Sequence, residues 1–577
     1  MSTTLYRGGA VLTPAVLAAP ASAVAPSALL VADGVVAWVG GADEADGLAD
    51  AADEVVDLRG ALVTPGFVDA HAHVLDTGLV RAGVDLAGCA SLADALAAVR
   101  DAATGAVGRR LAAEGSPLTG WGWAEDAWPE GRPPTRADLD AAAGGAPVYL
   151  GRVDLHSGVV STSFAEVLGL RALPGWREDG SVTGEAHAAA RAAVRDLPAD
   201  ARDARYRGAL EAAARAGIVA VHEQSAPQTD TRAGLAALLA LTADPGSALP
   251  LVVGYRAELC ETADDVRALA AAVPGLTGVG GDLAADGSLG SRTAALRAPY
   301  ADAATGWPHP AGRLDLTAEQ VSNHVASATR AGLPAAFHVI GDRALDEVLL
   351  GVRVAAEVEG VEAVRAAGHR LEHASMLDAP ALATLVLLGL TASVQPAFDD
   401  AWGGDDGMYA ARLGRGRAAS LHPLADLRAA GVPLAFGSDS PVTPFDPWGA
   451  VRAAVRHRTP DQRLPLAAAL AAHTRGGWAA GRGGGRGAGA AVGRGEVGAV
   501  GDGGAGGSGV PGGAGGVGVS GGPAVAGDLA VGAPAHLAVW RVPEPGPGVL
   551  PALRDDDPLP ECVRTVRAGV VLHDELG

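Results

Sequence analysis

Thr64-Pro-Gly-Phe-Val-Asp-Ala-His71-Ala-His73 sets two imidazoles two residues apart at the end of an apolar run. If the run is a strand, its period of two points both rings to one side, a spacing that suits two ligands on one metal ion. An HxH pair alone is weak, since core and surface histidines fall into it by accident. The partners decide. Three later apolar runs end in His338, His373 and Asp439, so five ligand-type residues share one predicted face.

The elements that carry them recur. From about residue 65 to 478 an Ala/Leu/Arg-rich helical stretch is followed by Gly, then four to six apolar residues, then a polar residue. Gly217-Ile-Val-Ala-Val-His222, Gly332-Leu-Pro-Ala-Ala-Phe-His338, Gly389-Leu-Thr-Ala-Ser-Val-Gln395 and Gly431-Val-Pro-Leu-Ala-Phe-Gly-Ser-Asp439 show the pattern. The Gly reads as a helix C-cap and the apolar run as a strand buried on both faces. Such alternation means a parallel sheet, and polar residues at strand C-termini are where a (β/α)8 TIM-type barrel keeps its site. Doubly wound sheets place ligands there too, so periodicity favours the barrel only modestly. Residues 1–64 and 526–577 read as short β segments without barrel helices, expected to join as one small discontinuous β-sandwich domain. Between them, 479–525 is about half glycine and reads as a flexible insertion.

Composition narrows the function. The net charge is −22, which repels phosphate backbones and anionic lipid, so neither nucleic acid nor membrane is an expected partner. All 44 basic residues are arginine. Without lysine there is no Schiff-base chemistry, no P-loop lysine and no carboxylated-lysine bridge between metals. Cys89, Cys260 and Cys562 are too few and too scattered for a disulfide framework, which agrees with a cytoplasmic setting. The apolar stretch Ala10 to Val31 is interrupted by three prolines and reads as mature protein, not as a secretory segment.

Pro-Gly-Phe-Val-Asp-Ala-His-Ala-His, His338-Val-Ile-Gly-Asp-Arg-Ala344, His369-Arg-Leu-Glu-His373, Ser393-Val-Gln-Pro396 and Gly437-Ser-Asp-Ser-Pro-Val442 resemble the amidohydrolase superfamily. The ordered series is similar above all to amidohydrolase family 3, the branch that includes N-substituted formamide deformylases. Asp286-Gly-Ser-Leu-Gly-Ser-Arg-Thr-Ala294 and Arg152-Val-Asp-Leu-His-Ser157 fit that branch as well. The resemblance implies that His71, His73, His338 and Asp439 bind a divalent metal, with His373 a ligand or a partner of the attacking water. Imidazole plus carboxylate with an open position suits zinc. Such a metal acidifies water and polarises a carbonyl, and Asp439 would shuttle the proton to the leaving nitrogen. Many relatives have a bridging lysine on the fourth strand where this chain has Asp282. Either Glu223 or Asp282 replaces it, Glu223 being favoured, or a single ion binds; one ion is expected over two.

Arg292 and Arg343 are candidates for gripping a substrate carboxylate or carbonyl, and His156 and His222 for lining the pocket; neighbouring acids or plain packing would explain each equally well. The activity expected is hydrolysis of a non-peptide carbon–nitrogen bond in an N-acyl or N-formyl amine, a small-molecule substrate. Heterocycle deamination on the same site ranks lower, because deaminases usually carry His-x-x-Glu where this chain has His338-Val-Ile-Gly. A noncatalytic scaffold is the third reading, opposed by the presence of all five ligand types. A homodimer is allowed.

Overall fold

A computed structural model describes the chain except for residues 1, 19–23, 107, 110, 112–115, 154, 482–524, 544–549 and 577. Eight parallel strands organise it: β1 (Phe67–Ala72), β2 (Ile218–Ser225), β3 (Leu251–Arg256), β4 (Gly278–Val279), β5 (Ala336–Val339), β6 (Arg370–His373), β7 (Thr391–Val394) and β8 (Leu434–Phe436). Continuous ladders run β1 to β4 and β5 to β8. Parallel bridges Val279–Ala335 and Ala284–His338 join β4 to β5, and Ala72–Ser440 joins β8 back to β1. The strands thus close into a TIM-barrel-like ring. Burial explains their composition: every residue of β1 and of β2 is buried, as expected for strands sealed by helices outside and side-chain layers inside. Helices Ala318–Ala331, Ala379–Leu388 and Leu424–Ala430 end on Gly332, Gly389 and Gly431 in left-handed conformation, so each helix turns directly into the next strand.

Two further sheets lie outside the ring. One is formed by Thr3–Arg7, Ala28–Ala32, Val35–Gly40 and Glu54–Asp57; the other interleaves Ala10–Val11 and Leu62–Pro65 with Leu537–Arg541, Glu561–Arg567 and Val570–Asp574. They share one apolar core, to which Tyr6, Leu29 and Val63 come from one end of the chain and Leu537, Val539 and Val563 from the other. The Ala10 to Val31 stretch contributes strands to both sheets. The 479–525 tract falls outside the described residues except for 479–481 and 525, and its first residues finish the helix Gly477–Ala480.

The sequence assigns 65–478 to the barrel and gives no sign of an inserted unit. Instead, a separate five-stranded sheet of Val84–Asp85, Leu118–Trp123, Val148–Arg152, Gly158–Val160 and Ser181–Val182 is inserted between β1 and β2. It has its own core, including Leu92, Val99, Trp123, Trp128, Leu139 and Leu150. Its helix–strand alternation has the same local pattern as a barrel unit, which is why periodicity does not separate them. No helix among the described residues is long and apolar enough to cross a membrane.

Candidate metal centre

The C-terminal ends of four ring strands, together with the loop after β4, converge on one cluster. His71 lies in β1 and His73 just beyond it, Asp282 follows β4, His338 lies in β5, His373 ends β6, and Asp439 follows β8. The four histidines and Asp439 are buried, whereas the Asp282 side chain keeps 23% exposure. Asp439 Oδ1 stands 3.4 Å from His71 Nε2 and 3.2 Å from His73 Nε2. Asp282 sits between both histidine pairs: Oδ2 is 3.6 Å from His73 Nε2, and Oδ1 is 3.0 Å from His338 Nδ1, 3.8 Å from His373 Nε2 and 3.9 Å from His71 Nε2.

These donors fit a metal. His71 Nε2 and His373 Nε2 are buried with no hydrogen-bond partner among the described residues, an unfavourable state unless something positive fills the gap. Donors 2.0–2.2 Å from a tetrahedral zinc stand about 3.3–3.6 Å apart, close to most of the separations here. The ligand-atom groupings His71–His73–Asp282 and Asp282–His338–His373 share Asp282, and a third joins His71, His373 and Asp439.

The surroundings fix the ring orientations. His71 Nδ1 donates to Glu372 Oε2 at 2.8 Å, His373 Nδ1 to Gln395 Oε1 at 2.8 Å, and His338 Nε2 to the Gly287 carbonyl at 3.3 Å. The remaining nitrogen of each ring therefore faces the centre, as metal-binding histidines require. Glu372 is itself held by Arg370, whose Nε and Nη2 reach Oε1 at 2.6 Å and Oε2 at 2.9 Å, with both side chains fully buried. Burial pushes the Glu372 carboxyl up, but Arg370 and His71 outweigh it and bring it down to about 2. Burial likewise opposes charge on His338, and Asp282 overcomes it, carrying the imidazole up to about 9. His71 is raised well above the ordinary histidine value by Asp439 and Glu372 against the same opposition. Protons and cations compete for these nitrogens, so the field that raises them is one that holds positive charge. His373, Ala374 and Asp439 adopt φ of 68°, 43° and 57°, and such left-handed non-glycine residues concentrate where function imposes them.

Several expectations change. Glu223 is not among the clustered donors of the described residues; its Oε2 accepts from Val74 N at 2.6 Å, and burial pushes its carboxyl up to about 7. Asp282, ranked below it, takes the shared position. His222 does not line the cavity above the centre, because its Nδ1 meets Arg370 Nη1 at 2.9 Å in the barrel interior. Arg343 is exposed on the helix Asp342–Glu359, and Arg292 is bound to Asp302 at 2.6 Å; neither lines that cavity. His156 does. Sequence reasoning missed Arg412 and Asp126 at the cavity and the Arg370–Glu372 pair behind His71. A signal for the last was present: Arg370 and Glu372 are two apart in a buried strand, hence on one face, and buried opposite charges there pair.

A ring of eight parallel strands with imidazoles and carboxylates gathered at their C-terminal ends defines a metal-centred barrel. Residues 54–490 match the amidohydrolase family, and the chain belongs to it. It is 28% identical over 453 residues to Protein LONG AFTER FAR-RED 3 of Arabidopsis thaliana, covering 73% of this chain and 74% of that protein. Putative amidohydrolase YtcJ of Bacillus subtilis is 25% identical over 453 residues, 73% of this chain and 80% of the relative. Among solved structures, an uncharacterized metal-dependent hydrolase from Pyrococcus horikoshii OT3 superposes with a TM-score of 0.64 at 27% identity, covering 83% of this chain and 93% of the other.

Proposed function

We propose that this chain is a metal-dependent hydrolase that cleaves a non-peptide carbon–nitrogen bond in an N-acyl or N-formyl amine. The observation that carries the reading is Asp439 within 3.4 Å of His71 Nε2 and 3.2 Å of His73 Nε2 at the base of an open cavity. His71, His73, Asp282 and Asp439 would hold one divalent ion, and His338, His373 and Asp282 a second, with zinc the chemical fit. The sequence favours one ion because no lysine can bridge; Asp282, with Oδ2 toward His73 and Oδ1 toward His338, supports two. A divalent cation there supplies Lewis acidity, acidifying water and polarising the scissile carbonyl.

The chain's own groups do the rest. Asp439, held well below the usual carboxylate range by His71 and His73 despite its burial, is ionised and accepts the proton of the attacking water. As the tetrahedral adduct collapses and the C–N bond breaks, Asp439 returns that proton to the leaving nitrogen, so that a carboxylic acid and an amine are released. His71 and His373 are kept in fixed orientation by Glu372 and Gln395. A cavity of about 500 Å³ lined by His338, His373 and Asp439 is of a size for a small molecule and supports this reading.

A screen of N-formyl and N-acyl amines with metal-loaded protein tests the reading. Asp439→Asn should keep the fold and lose about 10²- to 10⁴-fold in turnover. Full turnover in that variant would move proton transfer elsewhere. Two metals per chain by elemental analysis, falling in Asp282→Asn, is the expected stoichiometry; one metal in the wild type, unchanged by the substitution, would reject the bridge.

A further inference from the structure

One outer face of the barrel is apolar in a chain whose net charge is −22. Among the described residues twelve large apolar side chains are exposed, and six of them fall within residues 350–387: Leu350, Val354, Val358, Val361, Val386 and Leu387, between 38% and 65% exposed. The first three stand four apart on the helix Asp342–Glu359 and form a single ridge along it. The helix Val361–Ala367 follows, and its Arg365 Nη1 donates to the Val386 and Leu387 carbonyls at 2.7 Å and 2.6 Å, which brings Val361, Val386 and Leu387 to the end of that ridge. Val386 and Leu387 belong to the helix Ala379–Leu388, which has no charged residue along its length. A helix without a charged side is one whose outer side is normally covered.

Six such residues leave on the order of 400 Å² of apolar surface open, the size at which one patch on a monomer is often functional, and about half of the ~800 Å² that each partner gives to a standard interface. The flanking charges indicate the partner. Arg353 and Glu357 are exposed and make no ion pair among the described residues. At 3.6 residues per turn they fall about 100° and about 60° from Val354 in the same sense, so both flank the ridge on one side. The charges of the patch cancel, Arg353 against Glu357 and Arg365 against Glu362, so it has no excess of either sign with which to draw an acidic or a basic partner. The overall negative charge repels a second copy at long range, but screening confines that repulsion to about 8 Å.

We propose that this face joins two copies of the chain, with a two-fold axis passing at Val354. Such an axis turns the pattern onto itself. It sets Val354 against Val354 of the partner subunit, Leu350 against Val358 of the partner subunit and Arg353 against Glu357 of the partner subunit, and the last two contacts are each made twice, as an isologous interface requires. Ridges of four-residue spacing interlock at a crossing of about −50°, so the contact is deepest at Val354 and the helix ends diverge. A surface complementary to itself in both its apolar ridge and its charges is explained by a second copy and by no unrelated partner.

The test is sedimentation equilibrium of metal-loaded, full-length protein. At about 10 μM the wild type should be a dimer, as expected for an interface of micromolar or tighter affinity. Val354→Asp sets two carboxylates against each other at the axis and should weaken association at least about tenfold, because like charges facing each other in an interface are strongly unfavourable. Its metal content should stay that of the wild type. Arg353→Glu and Glu357→Arg, each alone, bring like charges into contact and should weaken association at least about tenfold as well. An equimolar mixture of these two variants should recover the dimer as a heterodimer, since opposite charges then face each other across the axis, an outcome that no change within one chain can give. Arg353 and Glu357 are exposed, so both variants keep the fold, and the mixture decides the matter even where Val354→Asp fails to fold. A monomeric wild type at that concentration, a dimer indifferent to Val354→Asp, or a mixture no more associated than its components would each overturn the proposal.

Discussion

Replacing Glu372 by Gln perturbs one point that supports both fold and metal. Glu372 and Arg370 are fully buried and doubly hydrogen-bonded, and Arg370 Nη2 also reaches the Ala70 carbonyl at 2.7 Å and Ser393 Oγ at 3.0 Å. Neutralising the carboxylate leaves a guanidinium charge uncompensated in the barrel interior, a change that costs about 3–5 kcal/mol when one partner of a buried pair is removed. The displacement of the carboxyl from 4.5 to about 2 gives an independent figure: at 1.36 kcal/mol per unit it is worth about 3 kcal/mol. The sign follows from the direction. A folded value below the unfolded one is stabilising above about pH 4.5, so the loss is fully expressed at neutral pH. For 577 residues the unfolding entropy is on the order of 1.2 kcal/mol/K, so a cooperative transition should fall by about 3–4 °C.

The same substitution weakens His71 as a ligand, because Gln cannot hold its Nδ1 proton as a carboxylate does; losing such a partner lowers metal affinity about 10- to 100-fold. Thermal unfolding of metal-free protein and competition with a chelator read the two effects separately. Adding Arg370→Met to Glu372→Gln should recover much of the stability, since the orphaned charge is gone, but not the metal affinity. A wild-type midpoint and wild-type metal affinity in Glu372→Gln would refute the reasoning. Recovery of both in the double variant would show that Glu372 acts on the fold alone.

Two other outcomes are expected. Gly280→Ala should lower the thermal midpoint and strip metal together, because a Cβ there would lie 1.9 Å from the Ala336 carbonyl oxygen at a φ of 91°; unchanged metal content by elemental analysis would contradict this. The fold should also lose stability as pH falls below about 6.5: burial drives His369 down to about 3 and His324 to about 4, so the unfolded chain binds their protons first, at about 2 kcal/mol each by pH 5. Chemical denaturation of metal-free protein at pH 7 and pH 5 measures it, and His369→Gln should reduce the slope.

The parts of the architecture legible in the sequence are those with local cause. His71, His338 and His373 belong to strand ends that are apolar because both faces are covered, and glycine closes the helices before β5, β7 and β8, so the barrel units announce themselves. The inserted sheet obeys the same local rules and therefore hid among them. The cavity rim was not legible, because Arg412 and Asp126 meet only through the placement of the insert over the barrel mouth, a long-range juxtaposition that spacing does not encode. Arg292 looked apt for substrate by residue type, yet Asp302, ten residues on, claims it.

Asp282 shows how a chain without lysine furnishes an anion at the centre of the ring. A carboxylated lysine reaches that point along its whole side chain, whereas aspartate has a single methylene, so the backbone itself must come closer. The β4–β5 pairing provides the slack: Val279 bridges Ala335 and Ala284 bridges His338, leaving more chain on the β4 side than opposite it, as in a β-bulge. Gly280 and Gly281, at φ of 91° and 79°, turn that surplus inward while their N–H groups stay bound to Arg256 O and Ala336 O at 2.7 Å and 3.1 Å. A side chain is disfavoured at both by the positive φ, and at Gly280 a Cβ would also lie 1.9 Å from the Ala336 carbonyl oxygen. The glycine pair and the short acid therefore work as one unit, in which backbone freedom replaces side-chain length. On the two-ion proposal Asp282 would take the place between the ions without need of carbon dioxide, and activity should be indifferent to added bicarbonate.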